Sequence, residues 1–184
     1  RPSDLISYDT IVETPAGNLC ELERHRLFLN GLGIETGEPL LPTLWLSEED
    51  LAFAKDLFAK NGLDPSHTIA LFTGARTGMK QYSRWSEVLS HLHEKNEIAI
   101  VYLGGDADHA FGEELRQALP IKFVNVCGQV GLRRAAAILK MAHLAVGVDT
   151  ALAHMACAME INNVILLGGG HFGRFLPYSP RTSI

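Results

Sequence analysis

From residue 44 onward, short apolar runs alternate with stretches of helical periodicity. The runs are rich in β-branched residues and apolar on both faces, as expected for strands buried in a parallel sheet. They lie at 69–73, 98–103, 123–127, 144–148 and 164–167. Helical patterns lie between them at about 84–95, 107–118, 131–142 and 150–159. This alternation predicts an α/β fold, a Rossmann-like doubly wound parallel sheet in which the runs at 69–73 and 144–148 are adjacent and central.

The residues before this pattern are organised differently. Residues 18–32 place leucines at helical spacing, with Asn18 as a candidate N-cap, and Pro39 and Pro42 then break the pattern. We therefore expect a linker and a helix over residues 1–43 and the folded domain over 44–184. A further helix is predicted at 47–62, because it opens with the capping-box signature Ser-Glu-Glu-Asp.

Composition excludes several classes of protein. Sixteen Lys and Arg against 21 Asp and Glu give a net charge of −5, which argues against a nucleic-acid binder held by overall charge. Three scattered cysteines form no disulfide framework, which favours a reducing cytoplasm. No apolar run reaches the length of a membrane span, and no signal peptide is evident. Because the chain starts at Arg1 and stops at Ile184, we expect a fragment of a longer polypeptide.

In a doubly wound sheet, ligands bind where the strands end. The first run exits into Thr73–Lys80 (TGARTGMK), which combines two glycines with Arg76 and Lys80. Neither a dinucleotide fingerprint nor a P-loop is present. The segment is either a phosphate-facing loop or a solvated turn with ordinary surface cations.

The fourth run exits into Asp149-Thr150-Ala151-Leu152-Ala153-His154. Asp149 or Thr150 can cap the helix that follows, whose free N–H groups can hold a phosphate. Because a carboxylate repels a phosphate, Asp149 would instead accept a hydrogen bond from a sugar hydroxyl, and His154 can point back at the same site. Alternatively, Asp149 only caps and His154 is a partly buried polar residue.

Three further loops carry weaker signals. Asp106 follows the second strand and can bind ribose hydroxyls or act as a plain N-cap. The glycines of 127–131 permit close passage of a base or form a tight turn. The segment 168–174 is interpreted as a ligand-lining loop that carries His171 and Arg174.

The sequence gives little support for a metal site or for a cysteine nucleophile. His154 and Cys157 lie at i, i+3, but no further metal ligands are evident, so we expect no metal site. Cys127 and Cys157 are interpreted as small buried hydrophobic residues rather than nucleophiles. Trp45 and Trp85 are interpreted as packing residues.

Three segments occur in one order: G-A-R-x-x-x-K before W-S-E, then L-G-G-D-A-D, then V-G-V-D-T-A-L-A-H-M-A-C-A followed by V-I-L-L-G. Together they resemble the carboxyl-terminal half of the family-nine glycosyltransferases, the ADP-heptose:lipopolysaccharide heptosyltransferases and their relatives. The resemblance covers about residues 18–180. It implies a GT-B architecture of two Rossmann-like domains, with 44–184 as the donor-binding domain and 1–43 as a remnant of the amino-terminal half.

The resemblance also implies roles for individual residues. Lys80 falls on the phosphate-contacting lysine, Asp106 on the acidic ribose contact and Val130 near the base-packing position. The sugar- and phosphate-binding motif falls on Asp149, Thr150, Ala151, Leu152 and His154. Two departures are Ala151, where the family has glycine, and the segment 168–180, so the sugar need not be heptose.

The function implied is transfer of a sugar from a nucleotide-diphosphate donor, an ADP-sugar, to a lipopolysaccharide or other glycan or lipid-linked acceptor. The family's catalytic base lies in the amino-terminal domain, so no catalytic residue is expected among these 184 residues, and no cofactor. A cytoplasmic protein at the inner face of the bacterial inner membrane is expected, with peripheral association only in the full-length protein. The alternatives are a GT-B-like sugar-nucleotide epimerase and a nucleotide-binding domain without turnover.

Overall fold

The structure is a computed structural model that describes residues 12, 19–36, 40–75, 80–168 and 174–176. In this part of the chain, five strands form one parallel sheet in the order β3-β2-β1-β4-β5. The strands are β1 (Thr68–Phe72), β2 (Ala99–Tyr102), β3 (Lys122–Asn125), β4 (Leu144–Val148) and β5 (Asn163–Leu166). The predicted sheet is confirmed, and β1 and β4, which correspond to the runs at 69–73 and 144–148, are neighbours. The strand order reverses between them, which opens a crevice at their carboxyl ends.

Two helices precede β1, and four more occupy the connections between the strands of the described part of the chain. They are α1 (Glu21–Gly31), α2 (Glu48–Lys60), α3 (Trp85–Lys95), α4 (His109–Ala118), α5 (Leu132–Met141) and α6 (Ala151–Ala158). The capping box predicted for α2 is present, since the Asp50 amide donates to Ser47 Oγ at 3.2 Å and the Ser47 amide donates to Asp50 Oδ2 at 3.0 Å. None of the helices in the described ranges is long and apolar enough to cross a membrane.

The sheet is covered on both faces. Every residue of β1 is buried, and its side chains alternate between two cores. Ala70 and Phe72 pack with Phe58 of α2 and Ile138 of α5. Ile69 and Leu71 pack with residues of α3 and α4, including the fully buried Leu89. A strand apolar on both faces is the consequence of this double covering.

Strands β1 and β4 approach each other very closely. Gly147 is paired in register with Phe72. A Cβ atom on Gly147 would lie 2.2 Å from the Phe72 carbonyl oxygen and 2.2 Å from a ring carbon of the same residue. Only a residue without a side chain fits there, so Gly147 is a packing requirement of the sheet.

Two details differ from the sequence predictions. Trp45 was expected to pack but is 80% exposed, because the neighbouring Leu46 faces the core in the extended segment before α2. The first helix begins at Glu21 with Cys20 at the N-cap position, and Asn18 lies outside the described residues.

Helix α1 lies at the periphery of the fold. None of its residues is buried. Its first residue, Glu21, donates its amide to the Arg174 carbonyl at 2.8 Å, and its carboxylate pairs with the Arg174 guanidinium. The division of the chain at residues 43 and 44 stays a prediction.

We expect Gly147→Ala to lower the free energy of unfolding by about 1–3 kcal/mol or more, because overpacking of a rigid core forces the two strands apart. Gly131→Ala is the matched control, since a Cβ atom there would meet nothing within 4 Å. Urea denaturation of both variants and the wild type measures the difference. Equal stability of all three proteins would contradict the close approach of β1 and β4.

Candidate functional site

A cleft runs along the carboxyl ends of the strands. It consists of three adjoining cavities of 440, 580 and 690 Å³, all of which are lined by Gly74 and Asp108. The 440 Å³ cavity extends over the loops after β2 and β3 to the start of α6. The 580 Å³ cavity lies between the loops after β1 and β4. We refer to these three cavities together as the cleft, and its position is that expected at the point where the strand order reverses.

Lys80 and Asp149 form an ion pair in the lining of the 580 Å³ cavity. Lys80 Nζ donates to Asp149 Oδ2 at 2.7 Å and to the Asp149 backbone carbonyl at 3.3 Å. The Lys80 side chain is 27% exposed and the Asp149 side chain only 7%. The two residues are 69 positions apart in sequence, and they meet because β1 and β4 are neighbours.

His154 lies on the other side of the same carboxylate. Its Nε2 is 3.5 Å from Asp149 Oδ1, so the imidazole lies against this carboxylate, and its role in the site stays a prediction. Burial lowers the pKa of His154 below its ordinary value of 6.5, and the attraction of Asp149 does not fully offset this effect. The environment therefore favours the neutral imidazole.

Thr150 is the N-cap residue of α6, but its side chain makes no capping hydrogen bond. Its Oγ1 is buried and has no hydrogen-bond partner within the described ranges. The sequence suggested Asp149 or Thr150 as the side-chain cap of α6, but the helix has no side-chain capping hydrogen bond. The Asp149 carboxylate binds Lys80. The first two residues of α6 line the cleft: Ala151 lines the 440 and 580 Å³ cavities, and Leu152 lines the 440 Å³ cavity. The N–H groups of a first helical turn have no partner within the helix.

The turn 106–108 contributes to the lining of all three cavities of the cleft. Asp108 Oδ2 accepts a hydrogen bond from the Gly105 amide at 2.8 Å. A Cβ atom on Gly74 would lie 2.1 Å from Asp108 Oδ1, so the carboxylate lies against the loop that follows β1. Asp106 lies against Gly128, which has a φ of +73° and follows β3. Asp106 was predicted from the sequence as a site residue, whereas Asp108 was not, although both acids follow the Gly104–Gly105 pair.

The other site residues predicted from the sequence do not all lie in the cleft. Val130 lines the 440 Å³ cavity together with Asp106. Arg174 pairs with Glu21 and stacks on Phe175, with its guanidinium carbon 5.1 Å from the ring centre, and it is not among the residues that line the cleft. Arg76 and His171 lie outside the described residues, so their assignment to the site stays a prediction.

The cysteines are unsuited to nucleophilic chemistry. Cys127 and Cys157 are buried, as expected, and burial raises the pKa of the Cys127 thiol to about 12. The pKa of Cys157 is raised for the same reason. In the ranges that the structure describes, no three His, Cys, Asp or Glu side chains come together to hold a metal ion.

Comparison with known proteins identifies the family. The family model "Glycosyltransferase family 9 (heptosyltransferase)" matches residues 3–184. The chain belongs to glycosyltransferase family 9. No curated protein sequence matches it.

Solved structures of family 9 proteins share its fold. A family 9 glycosyl transferase from Veillonella parvula DSM 2008 superposes with a TM-score of 0.78 at 19% identity, over 92% of this chain and 49% of that chain. Escherichia coli heptosyltransferase WaaC with ADP-2-deoxy-2-fluoro heptose gives 0.60 at 21% identity, over 92% and 50%. E. coli ADP-heptose LPS heptosyltransferase II gives 0.60 at 23% identity, over 72% and 41%. The chain thus spans about half the length of these proteins, and the predicted α/β fold is confirmed.

The lowered pKa of His154 gives a test of the site. An unfolded histidine binds a proton near pH 6.5, whereas native His154 does so only at lower pH, so stability is lost as the pH falls from 7 toward 5. We expect His154→Gln to lose less stability over this interval than the wild type. Urea denaturation at several pH values measures the effect.

The control for this experiment is His91→Gln, which removes a histidine whose side chain is 65% exposed on α3. The account requires only the His154 variant to flatten the pH dependence. A His154 variant that follows the wild-type curve would show that the imidazole is not neutral in the native cleft.

Proposed function

We propose that this chain is the donor-binding half of a family 9 glycosyltransferase, which moves a sugar from a nucleoside-diphosphate donor to a lipopolysaccharide or other glycan acceptor. The observation that carries the proposal is the meeting of the Lys80 ammonium and the start of α6 in one cleft. A cation beside helix N–H groups that have no partner within the helix suits a diphosphate. The match of the family model favours this function over an epimerase or a domain without turnover.

The diphosphate would lie between Lys80 and the first turn of α6. The amides of Ala151 and Leu152 belong to the first turn, whose N–H groups have no partner within the helix. The Thr150 hydroxyl, buried and without a partner in the described ranges, is placed to donate to a phosphate oxygen. Ala151 replaces the family's glycine at this point, and it is exposed, so its methyl group faces the cleft rather than the core.

The nucleoside would occupy the 440 Å³ cavity. Its volume lies within the range of small-molecule sites, about 300–1,000 Å³. Asp106 would accept hydrogen bonds from the ribose hydroxyls, and Val130 would pack against the base. Gly128 and Gly131, which line the same cavity, allow a flat ring to approach the backbone.

The sugar would extend toward Asp149 and His154. Asp149 is a buried carboxylate and accepts hydrogen bonds only, so it suits sugar hydroxyls. The E. coli relatives are named for ADP-heptose and for an ADP-linked fluoro heptose, which makes ADP-heptose the first donor to test.

In the transfer step, an acceptor hydroxyl oxygen attacks the anomeric carbon, and the bond to the β-phosphate oxygen breaks with its electron pair leaving on the diphosphate. Lys80 and the α6 amides would stabilise that leaving group. A carboxylate from the other half of the enzyme would take the hydroxyl proton. We further propose that the acceptor binds that other half, at the cytoplasmic face of the inner membrane.

Lys80→Ala tests the phosphate site. A lysine bound to a diphosphate contributes roughly 1.5–3 kcal/mol, so its removal should weaken binding of ADP-heptose about tenfold or more. Binding of adenosine, which has no phosphate, should stay the same. Isothermal titration calorimetry of both ligands measures the two effects.

The same substitution leaves the buried Asp149 carboxylate without its lysine, so we expect a loss of about 1–3 kcal/mol in the free energy of unfolding. Lys140→Ala, at an exposed position of α5, is the matched control and should change neither binding nor stability. Unchanged ADP-heptose affinity in the Lys80 variant would refute the proposed phosphate site.

A further inference from the structure

The proposed donor leaves the 690 Å³ cavity of the cleft open. Its nucleoside takes the 440 Å³ cavity, and its diphosphate and sugar take the 580 Å³ cavity. The 690 Å³ cavity adjoins the 580 Å³ cavity, since both are lined by Gly74, Ala75, Ala107 and Asp108. A ligand in the 690 Å³ cavity would therefore lie next to the diphosphate and the sugar of the donor.

The lining of the 690 Å³ cavity combines aromatic rings with short polar side chains. Tyr82 and Phe111 supply the rings, and the polar groups are the Gln81 amide, the Ser83 hydroxyl and the Asp108 carboxylate. Among the described residues that line this cavity, Asp108 is the only charged one. A carboxylate accepts hydrogen bonds from hydroxyl groups, and an amide both donates and accepts them. The mixture suits a neutral ligand that carries hydroxyl groups on an apolar C–H surface, and a sugar ring is such a ligand.

Two contacts hold this lining in place. The Tyr82 ring lies edge-to-face against the buried Trp85, with 5.2 Å between the ring centres and 82° between the ring planes. Tyr82 is nevertheless 36% exposed, so part of its surface stays open to a ligand. Thr73, which also lines the cavity, is hydrogen-bonded through its hydroxyl to the buried Tyr102 hydroxyl at the end of β2. A lining that is already ordered loses little conformational freedom when a ligand binds.

We propose that the 690 Å³ cavity binds the terminal sugar ring of the glycan acceptor, with the ring against Tyr82 and its hydroxyl groups on Asp108 and Gln81. This inference rests on the proposed function. The donor sugar has its own hydrogen-bond acceptor at Asp149, so an adjoining sugar site fits the second substrate. The acceptor, bound mainly by the other half of the enzyme, would thus be held beside the donor sugar before transfer, which reduces the entropic cost of bringing the two together.

Titration with a neutral glycoside tests this site. The probe is methyl heptopyranoside, added to the ¹⁵N-labelled 184-residue chain saturated with ADP-heptose and followed by nuclear magnetic resonance. We expect saturable chemical-shift changes at the amides of Tyr82, Ser83 and Phe111 while ADP-heptose stays bound. A second titration, with ADP in place of ADP-heptose, should give the same affinity for the glycoside, because the acceptor site does not overlap the donor sugar.

Matched substitutions test the aromatic contact. Tyr82→Leu keeps an apolar side chain but removes the flat ring, and it should weaken glycoside binding about fivefold, which corresponds to about 1 kcal/mol. Gln81→Ala, at an exposed position of the same lining, should weaken it as well. The control Trp45→Leu removes an aromatic side chain that is 80% exposed and is not among the residues that line the cleft, so glycoside affinity should stay the same.

None of the three substitutions should change the affinity for ADP-heptose, which calorimetric titration measures, and circular dichroism verifies that each variant is folded. A glycoside that binds beside ADP but is displaced by ADP-heptose would show that the cavity holds the donor's own sugar, and this would overturn the acceptor site. Absence of glycoside binding, or an unchanged affinity in both the Tyr82 and the Gln81 variants, would overturn it and leave the donor site intact. A wild-type chain that binds neither ADP nor ADP-heptose would overturn the proposed function, and this inference with it.

Discussion

The pairing of β1 with β4 is the constraint on which the rest of this structure depends. Phe72 and Gly147 face each other in register, and the space between them admits no side chain on Gly147. Because these strands end side by side, the loops that follow them share one crevice. Lys80 and Asp149, far apart in sequence, form an ion pair there only because the sheet brings those loops together.

The charges of the cleft show how it can bind an anion. The chain has a net charge of −5, so its overall charge does not attract a diphosphate. Binding must come from groups that act at short range. The start of α6, the Thr150 hydroxyl and Lys80 are such groups.

Much of the fold could be predicted from sequence, because buried strands and amphipathic helices leave distinct apolar patterns. The strand positions were predicted to within one or two residues, and the capping box of α2 was recognised from four letters. The Lys80–Asp149 contact could not be predicted, since local patterns do not report which loops become neighbours. Asp108 was missed for the same reason, because its carboxylate lies against Gly74, which belongs to the loop after β1. Trp45 was placed wrongly because Leu44, Trp45 and Leu46 are consecutive apolar residues, so the sequence does not show which of them face the core.

The central claim is that the cleft at the ends of β1 and β4 holds the diphosphate of a nucleotide sugar. Titration of the ¹⁵N-labelled chain with ADP-heptose, followed by nuclear magnetic resonance, tests it most directly. The account predicts saturable chemical-shift changes at the amides of Gly74, Gly128, Ala151 and Leu152. It predicts no change at Ser66 and His67, which precede β1 at the opposite, amino-terminal end of the strands. Chemical-shift changes confined to that opposite end, or no change at the start of α6, would contradict it.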